Sequence, residues 1–151
     1  MAYEGAGKEL VAAIKFRHHR DAIGVLGDAM AGLVEVDPTV VTWAPTTRER
    51  ARARGGDQAE LLASAVAGHL GRPCRALLDR VAGRQQTGLG RAERLEGVEF
   101  LATGTTAGLD RGVVLVVDDV RTTGATLCAA SDALLGAGVA VTCTLTLAVT
   151  P

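Results

Sequence analysis

The sequence predicts an α/β fold in which a parallel β-sheet is flanked by helices. The chain of 151 residues is long enough for one domain with a substantial core. Hydrophobic residues make up 48% of the chain and aromatic residues only 3%, so the core must consist of aliphatic side chains, as is usual where helices pack on a parallel sheet. Apolar runs of strand length also alternate with helical patterns, which favours parallel strands joined by right-handed crossovers.

The most informative stretch runs from Gly112 to Leu127 and has the sequence GVVLVVDDVRTTGATL. Its aliphatic residues 113–117 form an unbroken run, which predicts a strand that is buried on both faces. Asp118 and Asp119 follow where that strand is expected to end, and a turn rich in hydroxyl groups then leads into a helical pattern. Ligands of parallel sheets bind beyond the carboxyl ends of the strands, so this turn is a candidate site.

The chemistry of this turn favours a phosphate. The first N–H groups of a helix lack partners and the helix dipole favours negative charge. Gly124 allows the backbone to approach an anion closely, and Thr122, Thr123 and Thr126 add hydroxyl donors. Two carboxylates just upstream would repel a bare phosphate, but they can accept hydrogen bonds from sugar hydroxyls or face a divalent metal. Carboxylates that can bind a diol, next to a loop that can bind phosphate, predict a binding site for ribose 5-phosphate.

Residues 1–36 are predicted to form a pair of helices. The first, over residues 8–19, has one apolar face and ends in a basic run, which we interpret as a solvated helix end. Asp21 is the expected N-cap of the second helix, which should end near Val34. The apolar face of this second helix is expected to comprise Ala22, Val25, Leu26, Ala29, Met30 and Leu33.

A second candidate loop follows a short strand predicted over residues 39–44. The strand ends in proline and small hydroxyl residues, which can present backbone N–H groups to an anion. Four arginines come next on what we expect to be a glycine-flanked loop, and their planar forks match phosphate oxygens. A solvated charged loop and a nucleic-acid contact are the alternatives, but beside the ribose-5-phosphate site we favour pyrophosphate binding. The arginines are Arg48, Arg50, Arg52 and Arg54.

The remaining segments alternate in the same way. Asp57 is the expected N-cap of a helix that Gly71 ends, and a strand is predicted over residues 74–78. Residues 80–97 are rich in arginine and glycine without apolar periodicity, which is typical of a mobile flap or a disordered insertion. Further strands are expected at 98–102 and 139–149. The flap residues that could close over a ligand are Arg84, Gln86, Arg91 and Arg94.

Composition excludes several classes of protein. The formal net charge of −1 gives no reason to expect nucleic acid or a membrane as a partner of the whole molecule. Cys74, Cys128 and Cys143 are odd in number and widely spaced, so we expect buried free thiols rather than disulfides or a zinc site. Without a secretory signal or a long apolar run, the sequence predicts a soluble cytoplasmic protein.

The central stretch resembles the 5-phosphoribosyl-1-pyrophosphate (PRPP) motif of type I phosphoribosyltransferases along its whole length. The chain further resembles the ComF group, named after competence protein F, over nearly its full length. The segments that carry this likeness are Tyr3-Glu4-Gly5, Ile14-Lys15-Phe16, Ala44-Pro45, the run from Arg54 to Ala63 (RGGDQAELLA), Gln86-Thr87-Gly88-Leu89, Glu93-Arg94 and Phe100.

The sequence departs from the ComF pattern at three points. The cysteine-rich zinc module that begins many members is not present. The family's V-P-V-P segment is Thr42-Trp43-Ala44-Pro45, and the aromatic residue and asparagine of its R-G-F-N-Q segment are Gly56 and Asp57. These changes affect the expected pyrophosphate loop and leave the PRPP motif intact.

The resemblance implies a single phosphoribosyltransferase-like domain over residues 1–151 with a flexible hood. Asp118 and Asp119 would be the catalytic pair that binds the ribose hydroxyls, with Mg²⁺ near them and held mainly by PRPP. Pyrophosphate at the anomeric carbon would be displaced by a nitrogen nucleophile. The 5-phosphate loop would comprise Arg121, Thr122, Thr123, Gly124, Ala125 and Thr126, and the pyrophosphate loop Ala44, Pro45, Thr46, Thr47 and Arg48.

Two functions from different classes follow from this pattern. The first is a phosphoribosyltransferase whose partners are PRPP, pyrophosphate and a nucleobase or amine acceptor. The second is a non-catalytic binder of PRPP or nucleotides that serves DNA uptake or repair, with nucleic acid or the uptake machinery as its partner. Either could be a homodimer, and neither involves a membrane. A phospho-acceptor receiver domain fits poorly because the acidic pair comes late in the chain and the only lysines are Lys8 and Lys15.

Overall fold

The computed structural model describes residues 20–81, 98–103 and 106–149. The first predicted helix and the four flap residues lie outside these ranges, so their predictions stay untested. Within the ranges the elements follow in the order α1 (Arg20–Ala31), β1 (Val40–Trp43), α2 (Arg48–Arg54), α3 (Gln58–Leu70), β2 (Leu78–Arg80), β3 (Phe100–Ala102), β4 (Val113–Arg121), α4 (Ala125–Gly136) and β5 (Val141–Val149).

The predicted parallel sheet is confirmed, with β4 at its centre in the order β1-β4-β5. The pairs Trp43–Val117 and Val117–Leu145 show that the three strands end at the same edge. Four consecutive residues of β4, from Val114 to Val117, are at most 2% exposed, so this strand is buried on both faces as its apolar run predicts. The sheet therefore places the end of β1 beside Val117, directly before the acidic pair of β4.

The strands predicted at 74–78 and 98–102 do not extend this sheet. Cys74 forms only an isolated parallel bridge to Val41, and β2 pairs with β3 in a separate antiparallel two-stranded sheet. The alternation of apolar segments therefore predicted these two strands roughly but gave them the wrong partners. They instead form a small sheet at the base of the predicted flap, where Arg80 is the last residue of β2.

Two aliphatic layers cover the sheet. On one face α1 and α3 pack against the strands through residues such as Met30, Leu62 and Val66. On the other face α4 and the β2–β3 pair contribute Leu134 and Phe100, which is the one aromatic side chain among the buried hydrophobic residues of the described ranges. The low aromatic content of the sequence thus agrees with the aliphatic composition of this core. The three cysteines are free as expected, but none is fully buried: Cys74 and Cys143 are half-buried, and Cys128 is exposed.

The interface between α1 and α3 corrects the predicted face of α1. The helix already includes Asp21, which therefore is not its N-cap, and it ends at Ala31. Leu26 and Met30 are buried, whereas Val25 and Leu33 are both 71% exposed. Helical spacing alone cannot place the centre of an apolar stripe when apolar residues surround much of the helix.

None of the helices in the described ranges has the length and apolar character needed to cross a membrane.

Close packing of α1 on α3 depends on the absence of a side chain at Gly27. A Cβ atom there would lie 2.3 Å from the Cβ of Ala65, far inside contact distance, so the helices would have to separate. We therefore expect Gly27→Ala to lower the free energy of unfolding by about 1–3 kcal/mol in urea denaturation. Gly24→Ala is the matched control, since a Cβ there meets nothing within 4 Å and alanine favours the helix. Equal stability of the two variants would contradict this packing.

Candidate functional site

The acidic pair lies inside the central strand rather than after it. β4 continues through both aspartates to Arg121 and stays paired with β5 as far as Val149. Asp118 is only 8% exposed, and the N–H of Asp119 donates to its Oδ1 at 2.8 Å. The strand is longer than its apolar run because continued pairing with β5, which the local sequence does not reveal, holds the polar residues in extended form. The pair is thereby fixed on the rigid centre of the sheet.

The environment of Asp118 opposes its ionisation. Burial raises the pKa of its carboxyl from 3.8 to about 7, and the negative charge of Asp119 acts in the same direction. Clustered acids with such raised pKa values are typical of binding and catalytic sites, where a cation or hydroxyl donor completes the arrangement. The pair thus favours a ligand that supplies positive charge or hydrogen-bond donors.

This raised pKa gives a testable pH dependence. Between pH 4 and 7 the folded protein holds a proton on Asp118 that the unfolded chain has lost, so its free energy of unfolding should fall as pH rises through this window. Asp118→Asn keeps an acceptor for the N–H of Asp119 but cannot ionise. Urea titrations without ligand should therefore show little difference at pH 4, and a variant more stable than wild type by on the order of 3 kcal/mol at pH 8. A constant difference across that range would contradict the assignment.

The turn after β4 has the conformation that the predicted phosphate loop needs. Gly124 is the N-cap of α4 with a φ of 83°, a left-handed conformation that side chains disfavour. It brings no side-chain acceptor to the helix start, where the hydroxyl of Thr123 accepts from the N–H of Ala125 at 3.3 Å. Thr122 and Thr123 are exposed, and Thr126 is partly buried. Amides and hydroxyls therefore gather at the head of a 12-residue helix.

The predicted pyrophosphate loop lies beside the acidic pair. The N–H of Ala44 donates to the carbonyl of Val117 at 3.0 Å, which places the start of the loop next to Asp118. The N–H of Thr46 donates to Oδ2 of Asp57 at 2.8 Å. The loop that follows β1 thus begins beside the acidic pair of the neighbouring strand, as the parallel sheet requires.

The arginine segment after this loop is a helix, not the expected loop. Thr47 caps α2 by accepting from the N–H of Arg50 at 3.3 Å, and Gly55 ends the helix in a left-handed conformation. Arginine and alanine are good helix formers, so these two caps suffice for a short helix that buries none of its residues. Arg48 is consequently both the last residue of the predicted loop and the first of α2.

Two charged residues near the pair, Asp57 and Arg80, were not among the predicted site residues. The carboxylate of Asp57 is close enough to Asp118 to raise its pKa, and the charge of Asp119 in turn raises the pKa of Asp57. Burial lowers the pKa of Arg80, as does the charge of Arg50, whereas the carboxylates of Asp118 and Asp57 act in the opposite direction. Arg80 lies over the ring of Phe100 with its guanidinium carbon 5.8 Å from the ring centroid. Only its position, as the first residue of the predicted flap, could have drawn attention to it.

The described residues contain no group of three or more His, Cys, Asp or Glu side chains that could hold a metal ion. The two carboxylates nevertheless suit Mg²⁺, which prefers oxygen ligands and usually keeps ligand oxygens or waters in its coordination shell. The donor set therefore fits a magnesium ion that a bound phosphate compound shares with the protein.

No protein-family model matches the sequence, and no curated protein does so either. Solved structures do match. The allosteric regulatory enzyme of purine biosynthesis is 19% identical with a TM-score of 0.58 over 91% of this chain and 30% of that one. Glutamine PRPP amidotransferase from B. subtilis, solved with ADP and GMP, is 20% identical with a TM-score of 0.58 over 89% of this chain and 30% of that one.

A third similar structure is orotate phosphoribosyltransferase from Aeropyrum pernix, which is 16% identical with a TM-score of 0.50 over 86% of this chain and 72% of that one. The chain thus spans about 30% of the length of the first two structures and most of the third. The names of the second and third structures refer to PRPP or to phosphoribosyl transfer. Together with the central β4 and the helices on both sides of the sheet, these likenesses show that the chain has the type I phosphoribosyltransferase fold.

Proposed function

We propose that the protein is a phosphoribosyltransferase that binds PRPP, transfers its 5-phosphoribosyl group to a nitrogenous base or amine and releases pyrophosphate. The observation that carries the proposal is the continuity of the buried acidic pair at the end of β4 with the glycine-capped head of α4. Diol-binding carboxylates and an anion-binding turn are thereby held within eight residues of each other on one continuous segment. A ribose 5-phosphate has its diol and phosphate in a corresponding order.

In this proposal the two ends of the sugar are bound by different chemistry. The 5-phosphate accepts hydrogen bonds from the amides and hydroxyls of residues 122–126, where the dipole of α4 favours its charge. The ribose hydroxyls donate to Asp118 and Asp119. Such donors favour the ionised carboxylates, so binding at neutral pH should release a proton from the pair.

The leaving group is assigned to the neighbouring loop and its arginines. The bond between the anomeric carbon and the pyrophosphate oxygen breaks, a bond from that carbon to the acceptor nitrogen forms, and the acceptor loses a proton. Because charge develops on the departing pyrophosphate, guanidinium groups near it lower the barrier more than a strong base would. Arg48, Arg50 and Arg80 are the candidates for this role.

Magnesium is part of the proposal. When bound, it would neutralise charge on the pyrophosphate as a Lewis acid. Asp118 and Asp119 are the residues that would face it. The carboxylates would also orient the sugar so that its anomeric carbon meets the acceptor in line, which by itself can contribute a large part of the rate enhancement.

Calorimetry with PRPP in the presence of Mg²⁺ tests the proposal first. We expect saturable binding with one site per chain, and competition by pyrophosphate. Release of pyrophosphate is then followed across a panel of purines, pyrimidines, ammonia and simple amines, since the acceptor depends on loops that vary within a fold. Failure to bind PRPP would reject the whole proposal, whatever the panel shows.

Membership of the ComF group is a more specific proposal, which depends on the sequence segments quoted above. The RGGDQ segment, which begins at Arg54 and ends α2, is the observation that favours it. It keeps open a role as a PRPP-binding accessory protein of DNA uptake or repair. Binding of PRPP without turnover by any acceptor would favour that alternative. A cytoplasmic location and a homodimer also belong to the proposal, and fractionation and light scattering would test them.

A further inference from the structure

We infer that Asp57 is a positioning residue whose carboxylate holds the pyrophosphate loop in its binding conformation by joining it to the head of α3. The inference rests on the proposed function, because it assigns pyrophosphate to residues 44–48. It goes further in assigning a role to an acid that the sequence pattern predicts only as a helix cap.

The two oxygens of this carboxylate bind different parts of the fold. Oδ1 accepts from the N–H of Ala59 at 3.1 Å, which is the N-cap bond of α3. Oδ2 accepts from the N–H of Thr46 at 2.8 Å, across eleven positions of sequence. The second bond is the shorter one and joins the middle of the loop to a different element.

Capping alone does not require an acid at this position. Serine and asparagine cap helices as well as aspartate does, and neither adds charge. Here the charge is unfavourable, since burial raises the pKa of Asp57 and the neighbouring charge of Asp119 also disfavours ionisation. The bonds from Thr46 and Ala59 act against this rise by stabilising the ionised form. The charge of Asp57 therefore indicates a role in addition to capping α3.

Only a carboxylate can make both bonds. Asparagine offers one acceptor oxygen and an NH₂ group that would face a second N–H, and serine offers a single oxygen on a shorter side chain. In the ComF group, which this chain resembles, asparagine is usual at this position. The second acceptor oxygen is thus a property of this chain.

The head of α3 is a rigid anchor for the loop. Beyond Asp57 the helix packs on the sheet through Leu62, Ala63 and Val66, all of which are fully buried. Before it, Gly56 with a φ of 151° lets the chain turn from α2 into α3. A loop fixed to this core presents its remaining N–H groups and Arg48 without having to become ordered on binding, which lowers the cost of binding.

The test compares two ligands that differ only in the pyrophosphate group. Calorimetry with Mg²⁺ measures the affinities of wild type, Asp57→Ser and Asp57→Asn for PRPP and for ribose 5-phosphate. Serine should retain the cap of α3 and lose the bond to Thr46. We expect Asp57→Ser to bind PRPP about tenfold more weakly and ribose 5-phosphate within twofold of wild type. Asp57→Asn should show the same change, because it too cannot accept from both N–H groups.

Val66→Ala is the matched control, since it destabilises α3 at its buried centre and leaves the head of the helix unchanged. Its preference for PRPP over ribose 5-phosphate should equal that of wild type. Amide hydrogen exchange measured by NMR gives a second readout without ligand. The Thr46 amide should exchange at least tenfold faster in Asp57→Ser than in wild type, and no faster in Val66→Ala after correction for global stability.

An undiminished preference for PRPP in Asp57→Ser would overturn the inference and leave the proposed function standing. Equal losses for both ligands would also overturn it, since Asp57 would then act on the whole site. Should Asp57→Ser fail to fold, Asp57→Asn decides between these outcomes. If wild type itself does not prefer PRPP, the proposed function fails and the inference fails with it. The exchange rate of the Thr46 amide would still show whether its bond to Asp57 exists.

Discussion

Replacing Asp118 and Asp119 together by asparagine is expected to lower the affinity for PRPP by about 100-fold or more and to preserve the fold. Each carboxylate is assigned a charge-assisted hydrogen bond from a ribose hydroxyl, and two such bonds are worth about 3 kcal/mol, which corresponds to roughly two orders of magnitude in affinity. Asparagine keeps the shape of both side chains. The fold should even gain stability at pH 8, because the unfavourable ionisation of Asp118 is removed.

Calorimetry with PRPP and Mg²⁺ measures this loss, and urea denaturation shows that the variant folds. Asp110→Asn with Asp132→Asn is the matched control, as it removes the same formal charge from two exposed acids outside the site. The control should bind PRPP as wild type does. An affinity of the Asp118→Asn, Asp119→Asn protein within threefold of wild type would show that the pair does not bind the sugar.

A second large loss of binding is expected from Gly124→Ala. At a φ of 83° an alanine costs about 1–2 kcal/mol, and the helix start can relieve this strain only by changing the loop that is assigned to the 5-phosphate. We expect affinities for PRPP and for ribose 5-phosphate to fall together by about tenfold or more. This pattern differs from that of Asp57→Ser, which should affect PRPP alone.

Gly138→Ala is the control for strain. Gly138 lies just beyond the opposite end of α4 with a φ of 90°, and a Cβ atom there meets nothing within 4 Å. Alanine at either position should lower the free energy of unfolding by a similar amount. If Gly138→Ala also lost ligand, or if Gly124→Ala lost stability alone, the head of α4 would not be the phosphate site.

Features set by local interactions could be predicted from the sequence. The apolar run of β4 predicted its burial correctly, because only a strand covered on both faces needs such a run. The caps Asp57 and Gly71 gave the bounds of α3 to the residue, since a helix must satisfy its first and last backbone groups within a few positions. The glycine and threonines at the head of α4 were identified in the same way.

Features set by partners distant in sequence were predicted wrongly or not at all. Val25 and Leu33 were assigned to the packed face of α1, which in fact turns Gly27 toward Ala65 of α3. The segment from Arg48 was expected to be a loop because its caps are weak signals in a charged stretch. No sequence pattern indicated Arg80 as a site residue, since its position near Asp118 follows from the pairing of β2 with β3.

The sequence by itself therefore determined the fold class and the order of buried strand, glycine turn and helix, since all of these depend on neighbours within a few residues. Only the tertiary structure decided that the loop after β1 begins beside the acidic pair, that Asp57 reaches Thr46 and that Arg80 lies near the aspartates. These are contacts across eleven or more positions, and the sheet register and the helix packing that create them depend on the whole chain.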